Sequence, residues 1–172
     1  MDAVALAQFG LKNVVATLGT AISKEQLEQL FRTSPEIVFC FDGDNAGHRA
    51  AWRALETCLT LIRDGRQAGF FFLPEGHDPD SYVRENGVEA FSNIANITPL
   101  SDFFFNELAT RTNMETLDGR ARLVELAKPL LAKIPAGSFQ HLMQQRTPEL
   151  AQIDQKAVDI PSPNQQRAAA QK

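Results

Sequence analysis

Short apolar runs separated by helix-length amphipathic segments restrict the fold of this chain more than any other feature. Strand signals fall at about residues 14–19 ("VVATLGT"), 36–41 ("EIVFCF") and 68–73 (within "QAGFFFLP"). Between them, "KEQLEQLFR" carries Leu27, Leu30 and Phe31 on one face, with Ser23 and Gln26 placed as a capping box. A second helix spans about Ala46 to Arg63, with Ala51, Leu55, Cys58, Leu59 and Ile62 on its stripe. Strands joined by helices of this length pair in parallel through right-handed crossovers. The run at 68–73 is continuously apolar and is expected to be buried on both faces. Val38–Phe41 also reads as a buried strand. Gly10 should end a first short helix as its C′ residue. A doubly wound unit normally begins on a strand, whereas this chain begins on a helix, so a strand upstream of Met1 is expected.

After Pro74 the texture changes. A turn and a short helix ending at Gly87 give way, beyond Pro99, to a wholly helical pattern. "LSDFFFNELATR" is one helix, starting near Ser101 or Asp102. "TLDGRARLVELAKPLLAKI" is a second, with Leu123, Leu126, Ala127, Leu130, Leu131 and Ile134 on one face and a proline, Pro129, that can kink it. "SFQHLMQQR" begins a third, which Pro148 should limit. The reading is therefore an α/β unit over residues 1–97, a small all-helical subdomain over 98–153, and a polar tail or linker over 154–172.

At 172 residues and 44% hydrophobic, the composition is that of an ordinary globular protein, and no run is long enough for a membrane span. The two cysteines, Cys40 and Cys58, match no metal-ligand spacing and read as buried structural thiols in a reducing compartment. A net charge of −4 announces no nucleic-acid partner by itself.

The chemistry lies where the strands end. "VFCFDGDNAGHRAA" places Asp42 and Asp44 one residue apart between a strand and a small-residue helix start. If strand geometry continues, both carboxylates point into the space above the sheet edge, where open α/β sheets bind ligands. An Asp-Gly turn with an aspartate N-cap explains the stretch equally well. "HDPDSY" repeats the logic: Asp78 and Asp80 follow the next strand, with Pro79 stiffening their spacing. Two acidic pairs on one rim would repel, raise one another's pKa values and favour shared cations. Oxygen-only ligands select Mg²⁺ or Mn²⁺. Arg49, one turn into the helix, could face phosphates, although a solvated helix face is the simpler reading. His48 and His77 read as turn or surface residues.

The chain resembles the bacterial replicative primases of the DnaG type. The resemblance is carried by "MDAVALAQFG", "VVATLGTA", "VFCFDGDNAGHRAAWRALE", "FFFLPEGHDPDSYVRENG", "PLSDFFFNELA" and "DGRARLVELAKPLL". It implies the latter part of a TOPRIM fold followed by a helical subdomain. It also implies that Asp42 and Asp44 are primary metal ligands, that Asp78 and Asp80 serve a second ion, and that Asp2 is a supporting member of the cluster. Two divalent cations, Mg²⁺ or Mn²⁺, a single-stranded DNA template, ribonucleoside triphosphates and an RNA primer follow from the same resemblance. So do a replicative helicase, contacted through a region beyond the carboxyl end, and a cytoplasmic site of action at the bacterial nucleoid. Of the family's "EGYMD" word only Met1 and Asp2 match. The expectation is therefore an internal piece of a primase, inactive alone. The alternatives are a non-catalytic scaffold fragment and a phosphatase of the haloacid dehalogenase type. In the latter a Thr or Val commonly stands two residues after the second aspartate, where this chain has Ala46.

Overall fold

The computed structural model describes residues 2–17 and 21–152, the side chains of Asp2 and Ile94 apart. Helix α1 (Asp2–Gln8) is followed by α2 (Lys24–Thr33), β1 (Glu36–Phe41), α3 (Asn45–Leu59), β2 (Gln67–Phe72) and α4 (Pro79–Phe91). A single 3₁₀ turn (Ile94–Asn96) leads to β3 (Thr98–Pro99), and then α5 (Leu100–Thr110), α6 (Leu117–Leu131) and α7 (Ser138–Ala151) complete the order. The sheet runs β1-β2-β3. β1 and β2 pair in parallel over six residues, from Glu36 opposite Gln67 to Phe41 opposite Phe72, as the alternation requires. β3 returns antiparallel against Gly69 and Phe70, a two-residue edge too short to leave a periodic signal.

The strand expected at 14–19 does not form over residues 14–17, and residues 18 and 19 lie outside those described. Val15 is 66% exposed. Its β-branched neighbours have strand propensity, but propensity reports fit to a packed, paired surface, and among the described residues the sheet contains only β1, β2 and β3. β1 also departs from expectation. Its burial alternates instead of being continuous: Phe39 is buried, whereas Val38 is 44% exposed and Cys40 lies on the same open face. Cys40 is therefore no buried thiol. Cys58 is, and burial pushes its thiol up to about 12. β2 is covered on both faces over Ala68–Phe71, as its unbroken apolar run implies.

Helix boundaries follow local chemistry. Ser23 and Gln26 form the reciprocal capping box of α2. Gly10 takes a positive φ of 95° just past α1. Gly87, at φ 83°, interrupts α4 where the first segment was expected to stop, and a second helical stretch continues to Phe91. Pro148 does not limit α7, which runs on through it to Ala151. A helix tolerates an internal proline when neighbouring packing holds the distorted turn, and both Thr147 and Pro148 are buried.

One hydrophobic cluster joins the α/β part to the helices. It includes Leu27 and Phe31 of α2, Leu55, Cys58 and Leu59 of α3, Phe70 of β2, Phe103, Phe104 and Leu108 of α5, and Leu123, Ala127 and Leu131 of α6. Phe70 is fully buried, its ring 4.4 Å from Phe103 and 5.2 Å from Phe39. Asp64, in the connection between α3 and β2, makes a polar tie to the helical part. It accepts from the amides of Ser138 (3.0 Å) and Phe139 (2.9 Å), the first residues of α7. Among the described residues no helix is long and apolar enough to cross a membrane.

The two α7 amides hold the Asp64 carboxyl below the usual carboxylate range, because they donate to its ionised form. A depressed folded pKa contributes stability that is present above the ordinary value of 3.8 and lost as pH falls through the lower folded value. Asp64→Ala should therefore lower the thermal midpoint at neutral pH, and the gap from wild type should close on acidification below that ordinary value. Thermal unfolding of both proteins across this pH range checks the sign. A gap that persists undiminished in acid would show that the side chain acts by packing.

Candidate metal-binding rim

Parallel pairing puts the carboxyl ends of β1 and β2 on one edge, and both acidic stretches leave from that edge. The pairing is extended beyond the strands, where the Leu73 amide donates to the Phe41 carbonyl at 2.9 Å. The Asp42-Gly43-Asp44 turn then lies directly against β2's exit. A Cβ on Gly43 would collide with the Leu73 carbonyl oxygen, so glycine allows this close approach. Gly47 serves similarly one turn later: buried in α3, it has the Asp42 carbonyl oxygen where a side chain would begin. Asp42, Asp44, Leu73 and Pro79 line one concavity of about 360 Å³. Of the second acidic stretch, Pro79 reaches this concavity, whereas the flanking Asp78 and Asp80 are not among its lining residues.

The individual carboxylates are engaged differently. Asp42 is exposed. Asp44 is the N-cap of α3, accepting from the Gly47 amide at 2.6 Å through Oδ1. Asp78 caps α4 in the same way, accepting from the Ser81 amide at 2.7 Å while the Ser81 hydroxyl answers the Asp78 amide at 3.0 Å. Asp80 holds Arg84, one helical turn on, with Nε 3.0 Å from both carboxylate oxygens. Arg84 in turn lies over the Phe9 ring at 5.7 Å, which links α4 to α1. Asp2 begins α1, and its side chain is outside those described.

The two readings of these aspartates are thus compatible. The caps use one oxygen each of Asp44 and Asp78, which leaves the second oxygen of each for other work. The expectation of mutually raised pKa values does not hold for Asp78. Its carboxyl is lowered, chiefly by the Ser81 amide and then the Ser81 hydroxyl, which favour the ionised form. Among the described residues no three carboxylate, histidine or cysteine side chains gather closely enough to hold a metal ion. The donor chemistry fits a hard cation, since oxygen donors of Asp42 and Asp44 face one concavity. The second pair is turned toward α4's own cap and Arg84.

Neither histidine is a simple surface residue. The His48 ring stacks on Phe72 at 4.2 Å, nearly parallel, and its Nδ1 lies 3.7 Å from Glu107. His77 packs edge-on to Tyr82 with Nε2 3.7 Å from Glu85, and its Nδ1 is buried with no hydrogen-bond partner. The Asp80–Arg84 pair escaped the sequence reading although its i, i+4 spacing signals it.

Residues 1–83 match a Toprim-like family model, and residues 101–156 match a model described as the DnaB-helicase binding domain of primase. The chain is 50% identical to the DNA primase of Pseudomonas putida over 161 residues, covering 92% of this chain and 24% of that protein. It is 47% identical to the Escherichia coli K12 DNA primase over 146 residues, covering 84% of this chain and 25% of the relative. A DNA primase domain from Pseudomonas aeruginosa superposes with a TM-score of 0.87 at 49% identity, over 91% of this chain and 50% of that one. A DnaG primase catalytic domain bound to single-stranded DNA superposes with a TM-score of 0.86 at 44% identity, over 91% and 50% of the two chains. The class is therefore a TOPRIM-like α/β unit carrying a primase helical unit. The chain belongs to the DnaG-type bacterial DNA primases. It spans about a quarter of the length of the curated relatives it matches. The sequence reading put the helicase-binding region beyond the carboxyl end, whereas the matching family model falls on residues 101–156 of this chain.

Replacing a helical glycine by alanine ordinarily stabilises a helix by up to about 1 kcal/mol. Gly47→Ala should do the reverse, because its methyl group meets the Asp42 carbonyl. Overpacking of this kind costs about 1–3 kcal/mol. Urea unfolding measures it, and a variant as stable as wild type would mean that the turn after β1 is not held in this close contact.

Proposed function

We propose that this chain forms the cation-binding part of the RNA polymerase core of a DNA primase, which synthesises short RNA primers on single-stranded DNA for replication. One observation supports the reading: Asp42 and Asp44 line one concavity together with Leu73 and Pro79, at the carboxyl edge of a parallel sheet. Oxygen donors there suit Mg²⁺ or Mn²⁺. Asp42 and Asp44 would hold the first ion, and Asp78 and Asp80, once Asp80 is released from Arg84, would serve a second, with Asp2 in support. Bound divalent cations supply activation of an attacking 3′-hydroxyl and neutralisation of triphosphate charge. The protein's share is position: the Gly47 amide fixes Asp44, and the glycine contacts fix the turn that carries Asp42.

In this reading residues 1–97 are the TOPRIM part and 98–153 the helical part. The substrates are ribonucleoside triphosphates and a single-stranded DNA template, and the product is an RNA primer. A relative solved with single-stranded DNA supports the template, and the family match over 101–156 supports contact with the replicative helicase. The site of action is the bacterial cytoplasm, at the nucleoid. The phosphatase and scaffold readings have no comparable support.

The test is a chimera in which residues 1–150 of this chain replace the matching segment of the P. putida primase. It should incorporate ribonucleotides on single-stranded DNA with Mg²⁺. Asp42→Ala in the chimera should lower that rate by about 100-fold or more, the scale on which misplacing a reacting centre acts. A folded but inactive chimera would overturn the functional reading, and full activity of Asp42→Ala would overturn the site.

A further inference from the structure

On the flank of α3 that faces α5, an open groove of about 610 Å³ carries a charge opposite to that of the chain as a whole. Asn45, Arg49, Trp52 and Arg53 line it from α3, at spacings that put them on one side of a helix. Glu107 and Arg111 line it from α5. Arg111 lies across the Trp52 indole, its guanidinium carbon 4.0 Å from the ring centroid, and makes a flat cationic platform. Glu107 is already engaged, 3.7 Å from both Arg111 and His48. Arg49 and Arg53 are exposed, and among the described residues no carboxylate lies within ion-pair distance of either. Glu56, also on this wall, is a remaining negative charge without such a partner.

The groove begins beside the acidic rim. Asn45 follows Asp44 directly, and the lining continues along α3 to Glu56, about 16 Å at helical rise. A track of unpaired arginines with a stacked aromatic, continuous with a phosphoryl-transfer site, has the chemistry of a single-strand channel: cations for the backbone and a planar surface for bases.

We propose that the groove between α3 and α5 binds the sugar-phosphate backbone of a single nucleic-acid strand, with Arg49 and Arg53 on its phosphates and the Arg111–Trp52 platform beside its bases. The proposal rests on the primer-synthesis reading and extends it, since it gives the strand a path away from the acidic rim along α3.

Trp52 is the only tryptophan in the chain, so its emission reports on this groove alone. The experiment titrates the chain with a single-stranded oligothymidylate dodecamer at low salt, with EDTA present so that no cation bridges the acidic rim. A parallel titration uses thymidine triphosphate. The oligomer should quench Trp52 saturably and bind at least about tenfold more tightly than the mononucleotide. At roughly 0.7 per neutralised phosphate, the two phosphate-facing arginines give a salt slope of about −1.4. Arg49→Ala with Arg53→Ala should weaken binding about tenfold or more and bring that slope close to zero at an unchanged thermal midpoint. The double lysine variant should restore most of the affinity. Absence of quenching, equal affinity for oligomer and mononucleotide, or a double alanine variant that binds like wild type would each overturn the proposal. Because binding is read without metal, an active chimera with a silent groove sinks only this proposal. Strand binding beside an inactive chimera sinks only the functional reading.

Discussion

The parallel seam between β1 and β2 is the constraint on which the site depends. It begins before the strands, where the Gln67 amide donates to the Pro35 carbonyl at 2.8 Å, and ends beyond them at the Leu73–Phe41 bond. Because the two strands are in register and run the same way, both acidic stretches emerge together. Glycine then converts that register into a site. With no Cβ at residue 43, the acidic turn lies on the Leu73 carbonyl, and with none at residue 47, the first turn of α3 lies on the Asp42 carbonyl. The carboxylates are aimed by close backbone approach and by helix caps, both of which are stiff.

Behind the rim stands a layer of aromatic rings that couples the edge to the helices. Phe39, Phe41, Phe70 and Phe72 stack across the seam, and Phe103 of α5 packs against Phe70 and Phe72 at 4.4 and 5.4 Å. His48 continues the layer from α3 by lying on Phe72. Aromatic pairs of this kind bury large areas with defined geometry. His48 also joins this layer to the α3–α5 groove, which it lines and where its Nδ1 lies 3.7 Å from Glu107 of α5.

Local chemistry was the most legible part of the sequence. The Ser23–Gln26 box, the Gly10 and Gly87 stops, the α3 stripe and the buried run of β2 all follow from rules that operate within a few residues. In the fold, what escaped depended on partners distant in the chain. Residues 14–17 have the composition of a strand but no strand to pair with among the described residues, and β3 exists only because Gly69 and Phe70 offer it an edge. Cys40 looked buried because its neighbours are apolar, yet strand alternation turns it to the open face with Val38. For the site, the spacing of Asp42 and Asp44 and their place at a strand end were readable, while the engagement of Asp80 with Arg84 and of Asp78 with the Ser81 amide, both within four residues, was local but unread. The groove was hidden because Arg111 lies 59 positions from Trp52, although the two are in contact.

The central claim is that the carboxyl edge of the β1–β2 seam is a divalent-cation site. Paramagnetic broadening by Mn²⁺ tests it most directly, since relaxation enhancement falls steeply with distance from the ion. At substoichiometric Mn²⁺, the amide resonances of residues 42–47 should broaden first, followed by those of residues 73–81, and Asp42→Asn should weaken the effect. Broadening that centres on another acidic part of the surface, or that is the same in Asp42→Asn, would contradict it.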